Sequence, residues 1–367
     1  MIEEWRLDVT LPMPERRDYP IAIVGAGGIV QDAHLPAYRN AGFTVVGIYD
    51  IDQERAARVA ARFDIPTVYE SLDAVLDGPA AIIDVAVPAR ENPAIAARVA
   101  RAGKALLLQK PIAEDLAAAE EIVRVTEQAG IIAAVNQQAR WMPAALAMRD
   151  LIGRGLLGEI YQVSFLINVE TPWSLWPWII AGERVEVLYH SIHYLDTIRA
   201  LLGREPRLVF ADGTTIPGYP TRAETRTNIQ LIFEGTTRAT VLDTHHNSGG
   251  LDDQFALLRV EGTEGAAVAE LGLLKNYPTG VPDSFRYHSR KLQPGTWIAP
   301  KLTGTWFPDA FIGTMASVMR GLEGAPGAPE TSVRDNLGTL RVVLAAYQSM
   351  ATARAVDPAA LARETFS

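Results

Sequence analysis

The stretch Tyr19-Pro20-Ile21-Ala22-Ile23-Val24-Gly25-Ala26-Gly27-Gly28-Ile29-Val30 decides how this chain is read. Ile21 to Val24 is a short β-rich run, and it ends at three glycines within four residues. The segment after it, through Tyr38, reads as a helix. In a strand, glycine turn and helix of this order, the glycines permit a tight turn. They also let backbone N–H groups approach a pyrophosphate held at the helix N-terminus. The next β run, Thr44 to Tyr49, ends in Asp50, twenty-five residues after Gly25. A carboxylate there binds adenosine ribose hydroxyls and repels a 2′-phosphate, which favours NAD over NADP. A third glycine normally serves helix–strand packing, and its position holds Val30, so a slightly wider approach is expected with the site retained.

The alternation continues outward from this unit. Glu54 to Phe63 and Ser71 to Leu76 read as helices, Ala81 to Val87 as an apolar strand ending at Pro88, and Asn92 to Ala102 as a helix closed by Gly103. Leu106-Leu107-Leu108-Gln109-Lys110-Pro111-Ile112 follows, an apolar strand that delivers Lys110 to its carboxyl end just before a proline. Alternating strands and helices imply a parallel sheet with right-handed crossovers, and such sheets bind ligands beyond the carboxyl ends of their strands. Lys110 is thereby expected on the same edge as Gly25, Asp50 and Pro88. Beyond Pro143 the texture changes to β runs at hairpin spacing, interrupted by a helix from Val187 to Leu202. The expected architecture is α/β: residues 1–19 an N-terminal extension, 20–139 a Rossmann domain, and 140–367 an α+β domain with a large, mainly antiparallel sheet.

Composition narrows the partners. Hydrophobic residues are 48% and charged residues 21% of 367, which is globular usage. A net charge of −9 without a clustered basic face argues against nucleic acid. There is no cysteine, which excludes disulfides and thiolate chemistry. No apolar run approaches twenty residues, so a cytoplasmic protein with a small-molecule partner and no membrane attachment is expected.

These residues resemble the Gfo/Idh/MocA family, named for glucose-fructose oxidoreductase, inositol dehydrogenase and a rhizopine-catabolism protein. The resemblance runs over nearly all of the chain after residue 19. It is carried by Gly25-Ala26-Gly27-Gly28 with His34-Leu35-Pro36, by Val87-Pro88, by Gln109-Lys110-Pro111 and by Arg140 with Pro143. Gly155-Leu156-Leu157-Gly158 and His193-Tyr194-Leu195-Asp196 complete it. It implies a Rossmann domain followed by an open-faced sheet, an active site between them, and a homodimer or homotetramer formed through that sheet. Candidate cofactor contacts are Gly25, Gly27, Gly28, Ile29, Val30, Asp50, Arg55, Val87, Pro88, Gln109 and Lys110.

Two positions leave the family pattern. Gln109 stands where a glutamate usually precedes the lysine, which leaves the ammonium form of Lys110 less supported. Tyr189 stands where an aspartate usually lies four residues before His193. Oxidising a secondary alcohol needs a hydride acceptor, which the cofactor supplies, and a place for the hydroxyl proton. His193 is the expected general base, with Lys110 stabilising the alkoxide and Tyr189 orienting substrate or relaying the proton. Arg140, Trp178, His190 and His245 are candidate substrate contacts, Arg140 equally suiting a structural ion pair. The tryptophans Trp173, Trp176 and Trp178 suit either stacking on a sugar ring or an interface. No metal is expected, because His245 and His246 are adjacent on a β run and no carboxylate evidently completes a ligand set. The expected activity is hydride transfer between NAD(H) and an alcohol of a sugar, glycoside or cyclitol. Alternatives are an NAD-recycling elimination, hydrolysis or epimerisation, and a catalytically silent NAD-binding sensor or partner subunit.

Overall fold

The glycine turn is built as the sequence reading expects. In a computed structural model, which describes residues 5–171, 177–219, 221–273 and 275–361, β1 (Ile21–Val24) lies between β2 (Val45–Tyr49) and β3 (Ile82–Val85). β4 (Ala105–Gln109) and β5 (Ala133–Asn136) extend the sheet in the order β2-β1-β3-β4-β5, and every pair is parallel. All residues of β1, β3 and β5 are buried, as a sheet covered on both faces requires. Helices α1 (Leu35–Ala41), α2 (Gln53–Phe63), α3 (Leu72–Asp77), α4 (Asn92–Arg101) and α5 (Leu116–Gln128) make the crossovers. Asp52, Ser71 and Asp115 cap α2, α3 and α5 by accepting a backbone N–H three residues on, each worth about 1 kcal/mol.

A buried polar cluster pins α1 to the sheet. Asn136 Nδ2 donates to His34 Nε2 at 3.2 Å, which leaves His34 Nδ1 to donate to Asp84 Oδ2 at 2.7 Å; the Tyr38 hydroxyl donates to the same oxygen. His34 and Asp84 are wholly buried, so each needs these partners to offset desolvation.

The chain divides into two compact units. The nucleotide-type unit comprises Leu11–Trp141 and also Phe307–Leu340, whereas the sequence reading ended it at 139 and began it at 20. The return has a packing cause: α9 (Ala310–Leu322), numbered after α6 to α8 below, is buried along most of its length and packs on α1, β4 and β5. Ser332 bridges Ala134, and Thr331 O accepts from Val135 N. Gly313 is pressed against Trp141, where a Cβ would come within 2.4 Å of the ring. At the other end, Glu15 and Arg16 donate backbone N–H groups to the Glu323 carboxylate, which ties this part of the expected extension to the unit.

The other unit holds Met142–Trp306 with the two terminal segments. Its seven strands are β6 (Ile160–Asn168), β7 (Leu208–Thr214), β8 (Arg226–Ile232), β9 (Arg238–Thr244), β10 (Phe255–Gly262), β11 (Gly265–Glu270) and β12 (Ser284–Ser289), in the order β12-β11-β10-β6-β9-β8-β7. Every pair is antiparallel except β6–β9. Thr227, Ile229 and Leu231 of β8 are buried while Arg226, Asn228 and Gln230 are exposed, the alternation of a sheet with one covered face. The unit's helices are α6 (Pro143–Gly153), the short α7 (Pro177–Ile180), α8 (Ile192–Leu202) and α10 (Val333–Thr352), the last beginning in the other unit. α8 packs on α6, β6 and β9, and is led by a wide i→i+5 turn at Val187–Ser191. Among the described residues no helix is long and apolar enough to cross a membrane.

Candidate functional site

In the nucleotide-type unit, Gly25 and Gly27 shape the turn after β1 in different ways. Gly25 has φ +106°, and a Cβ there would fall 2.4 Å from Ala86 O on the neighbouring strand end, so both conformation and close approach demand glycine. A Cβ at Gly27 would meet nothing within 4 Å. Packing does not require that glycine; the space it leaves beside the turn suits an approaching pyrophosphate. After Gly28, a wide turn at Val30–His34 replaces the first regular turn, with Val30 fully buried in it. Wide turns of this kind occur often at functional sites.

Asp50 closes this half. Its Oδ2 accepts from Ala26 N at 2.7 Å, and its Oδ1 accepts from Asp52 N at 2.8 Å and Arg55 Nη2 at 2.7 Å. Burial raises its pKa, but the hydrogen bonds from Arg55, Asp52 and Ala26 outweigh that and hold the carboxyl below its ordinary value. The acid thus fixes the glycine turn and carries a guanidinium beside it. These residues fit NAD: an open turn for the pyrophosphate and a charged acid for the ribose.

Lys110 follows β4 at the carboxyl ends of the parallel strands, on the edge that Gly25, Asp50 and the Val87-Pro88 loop also occupy. Burial brings its ammonium down to about 7. The sequence reading anticipated a less supported charge and attributed it to Gln109; the cause here is desolvation. Gln109 Oε1 is buried without a hydrogen-bond partner among the described residues. Asn92, which sequence reasoning missed, is wholly buried at the start of α4 and donates Nδ2 to Pro111 O at 3.3 Å and Ile112 O at 3.0 Å. It holds the turn that presents Lys110. Arg140 is buried and commits its guanidinium to Glu330 O and to Asp335 within the same unit, the structural alternative left open from sequence.

The second unit gathers the remaining candidates around α8 and its leading turn. Tyr189 and His193 are both buried. The Trp178 ring meets Tyr189 edge-on at 5.3 Å, and His193 stands edge-on to Trp306 at 5.6 Å. Asp196 lies 3.7 Å from Arg199, which also pairs with Glu205. Because the turn at Val187–Ser191 is wide, helical spacing alone does not describe how Tyr189 relates to the residues after it. Trp173 and Trp176 lie outside the described residues.

His190 and His245 stack with ring centroids 3.8 Å apart and 19° between planes. Glu186 reaches His245 Nδ1 at 2.5 Å and lies 3.7 Å from His190 Nδ1. Asp243 sits 3.4 Å from His245 Nδ1 and accepts from the Ser191 hydroxyl at 2.7 Å. Burial, above all, pushes both carboxyls well above their ordinary range. His246 turns elsewhere, to Glu170 and the Tyr219 ring. Sequence reasoning named the two histidines and missed the acids: Glu186 is distant from His245 in sequence, and Asp243 looks like an ordinary residue at a strand end.

An NAD-type turn with its acid, a partly buried lysine on the same sheet edge and a second unit rich in acid–base side chains define a dinucleotide-dependent oxidoreductase. A profile described as "Oxidoreductase family, NAD-binding Rossmann fold" matches residues 19–137, and the "GFO/IDH/MocA C-terminal domain" matches 145–268. D-apiose dehydrogenase of Paraburkholderia graminis is 30% identical over 354 residues, 94% of this chain and 90% of that protein. The chain belongs to the GFO/IDH/MocA family and is an NAD-binding oxidoreductase. Inositol 2-dehydrogenase of Rhizobium meliloti is 25% identical, with 91% of this chain and 98% of that protein covered. Among solved structures, an oxidoreductase from Agrobacterium radiobacter in complex with NAD+, L-tartaric acid and magnesium has a TM-score of 0.82 at 23% identity, covering 94% of this chain and 99% of that one. Levoglucosan dehydrogenase in complex with NADH and L-sorbose has a TM-score of 0.78 at 18% identity, covering 93% and 99%. Likeness at that identity speaks for the fold alone.

Proposed function

We propose that this protein moves a hydride between NAD and a secondary alcohol of a sugar, glycoside or cyclitol, with Lys110 taking and returning the hydroxyl proton. NAD supplies the hydride acceptor when bound. The carbinol carbon gives up hydride, its oxygen gives up a proton, and a ketone results; reduction runs the reverse. The observation that carries the reading is the Lys110 amine at the carboxyl edge of the parallel sheet, with burial bringing it to about 7. A proton-transfer group works best when its pKa lies near the working pH. This moves Lys110 from stabilising an alkoxide to the acid–base role that sequence reading gave to His193.

In the second unit, His193 and Tyr189 are buried side chains with the chemistry to hydrogen-bond a substrate hydroxyl. The half-exposed Trp178 offers a flat face for the C–H side of a ring. The substrate class is supported by the names of relatives that act on apiose and inositol. We further place the protein in the cytoplasm as a homo-oligomer joined through the exposed sheet face, where Leu166 and Phe210 lie bare.

The test is a panel of aldoses, glycosides and cyclitols incubated with NAD, read at the NADH absorbance band. At least one polyol is expected to reduce NAD, with kcat/KM for oxidation rising as pH increases through about 7, because the acceptor amine must be neutral. NAD binding without reduction by any member of the panel would overturn the assignment.

A further inference from the structure

We propose that Glu186, His190 and His245 form a binding site for one divalent transition-metal ion. The inference stands apart from the redox reading, since metal binding is measured without substrate or NAD.

The geometry comes first. One ligand atom from each of the three side chains lies within 4.8 Å of the others. Two imidazole nitrogens and one carboxylate oxygen form a set that suits zinc, cobalt or manganese, whereas calcium and magnesium prefer all-oxygen sites. Glu186 precedes the wide turn at Val187–Ser191, which carries His190, and His245 follows β9. Elements distant in sequence therefore converge on one point.

Charge supplies an independent observation. Glu186 and Asp243 are both fully buried, and among the described residues no lysine or arginine forms an ion pair with either. Glu186 Oε2 is buried, without a hydrogen-bond partner among the described residues, and lies on the His190 side of the cluster at 3.7 Å. Buried acidic groups need a compensating positive charge, which a proton or a cation provides. A bound cation satisfies that oxygen as well as the charge. Asp243 stands 3.4 Å from His245 and is itself held by Ser191. Asp243 thus approaches the same His245 nitrogen that Glu186 reaches at 2.5 Å, which adds a second buried acid to the cluster. His190, 18% exposed in its side chain, gives an ion a path in. Three protein ligands leave coordination positions open, and vicinal oxygens of a polyol would fill them.

The experiment uses the full chain, stripped with chelator and dialysed. It is titrated with zinc chloride and separately with cobalt chloride, then passed through a desalting column and analysed for retained metal by mass spectrometry. One equivalent per chain is expected, with cobalt giving visible absorption bands of a nitrogen- and oxygen-ligated ion. Glu186→Gln and His245→Ala should each bind at least about tenfold more weakly, as loss of one of three ligands requires. His246→Ala, whose ring packs elsewhere, should retain the equivalent. Failure of the wild-type chain to retain metal overturns the proposal whether or not any variant folds. So does equal retention by Glu186→Gln and His245→Ala, or an equal loss in His246→Ala.

Discussion

Replacing Asp50 by serine should turn the cofactor preference of this enzyme. The carboxylate accepts the Ala26 and Asp52 backbone N–H groups at 2.7 and 2.8 Å and holds Arg55 at 2.7 Å, and in the proposed role it also binds the adenosine ribose. Serine keeps one acceptor at most. Hydrogen bonds to charged groups contribute about 1.5–3 kcal/mol each, so loss of the ribose bond should weaken NAD by roughly 10- to 150-fold. For NADP the sign reverses, because the repelling charge is gone and the released Arg55 can meet a 2′-phosphate. Arg55 is 40% exposed in its side chain, so its gain is screened, and about tenfold is expected there. The two effects together should move the NAD-to-NADP ratio by at least about a hundredfold. Cofactor titration by quenching of tryptophan fluorescence, with kcat/KM for both cofactors, reads this directly. A ratio that stays within threefold would refute the role given to Asp50, especially if thermal stability falls as the lost backbone acceptors require.

Other consequences are equally local. Gly25→Ala should cost a few kcal/mol, since the residue sits at φ +106° and the new Cβ would strike Ala86 O at 2.4 Å; a lowered Tm with impaired NAD binding is expected, and unchanged values for both would contradict this reading of the turn. Arg140→Ala should lower stability by about 2 kcal/mol through the lost bonds to Glu330 and Asp335, while leaving the order of preferred substrates unchanged; a reordered substrate panel would show Arg140 to be a substrate contact. Asn92→Ala should reduce kcat about tenfold by loosening the Pro111–Ile112 turn, a positioning effect of the size expected for a small misplacement. The pH at which the rate rises should stay put in that variant, which separates positioning from chemistry.

Much of the nucleotide-type unit was legible because its signals are local. A β-branched run, a glycine turn and an acid at the next strand end each have one physical reading, and the parallel order places Lys110 with them. What escaped depends on distance in sequence. Nothing about Ala310–Leu322 says that it packs on β4 and β5 after the chain has built another unit. β11 reads Gly-Ala-Ala-Val-Ala-Glu and β12 Ser-Phe-Arg-Tyr-His-Ser, too poor in β-branched residues to stand out, and their strand state comes from neighbours. The wide turn at Val187–Ser191 likewise cannot be read from periodicity. The motif named His193, yet among the described residues a cluster of acids and imidazoles is built around Glu186 and Asp243, which carry no motif at all.

If Lys110 carries the proton, its amine must set the pH dependence of the reaction. The direct measurement is kcat/KM for polyol oxidation across pH in wild type and Lys110→Ala, with NAD affinity determined on the same samples. The wild-type rate should rise through about 7, and the variant should lose about 10²- to 10⁴-fold along with that inflection while still binding NAD. A variant that retains activity within tenfold and keeps the same pH profile would contradict the account.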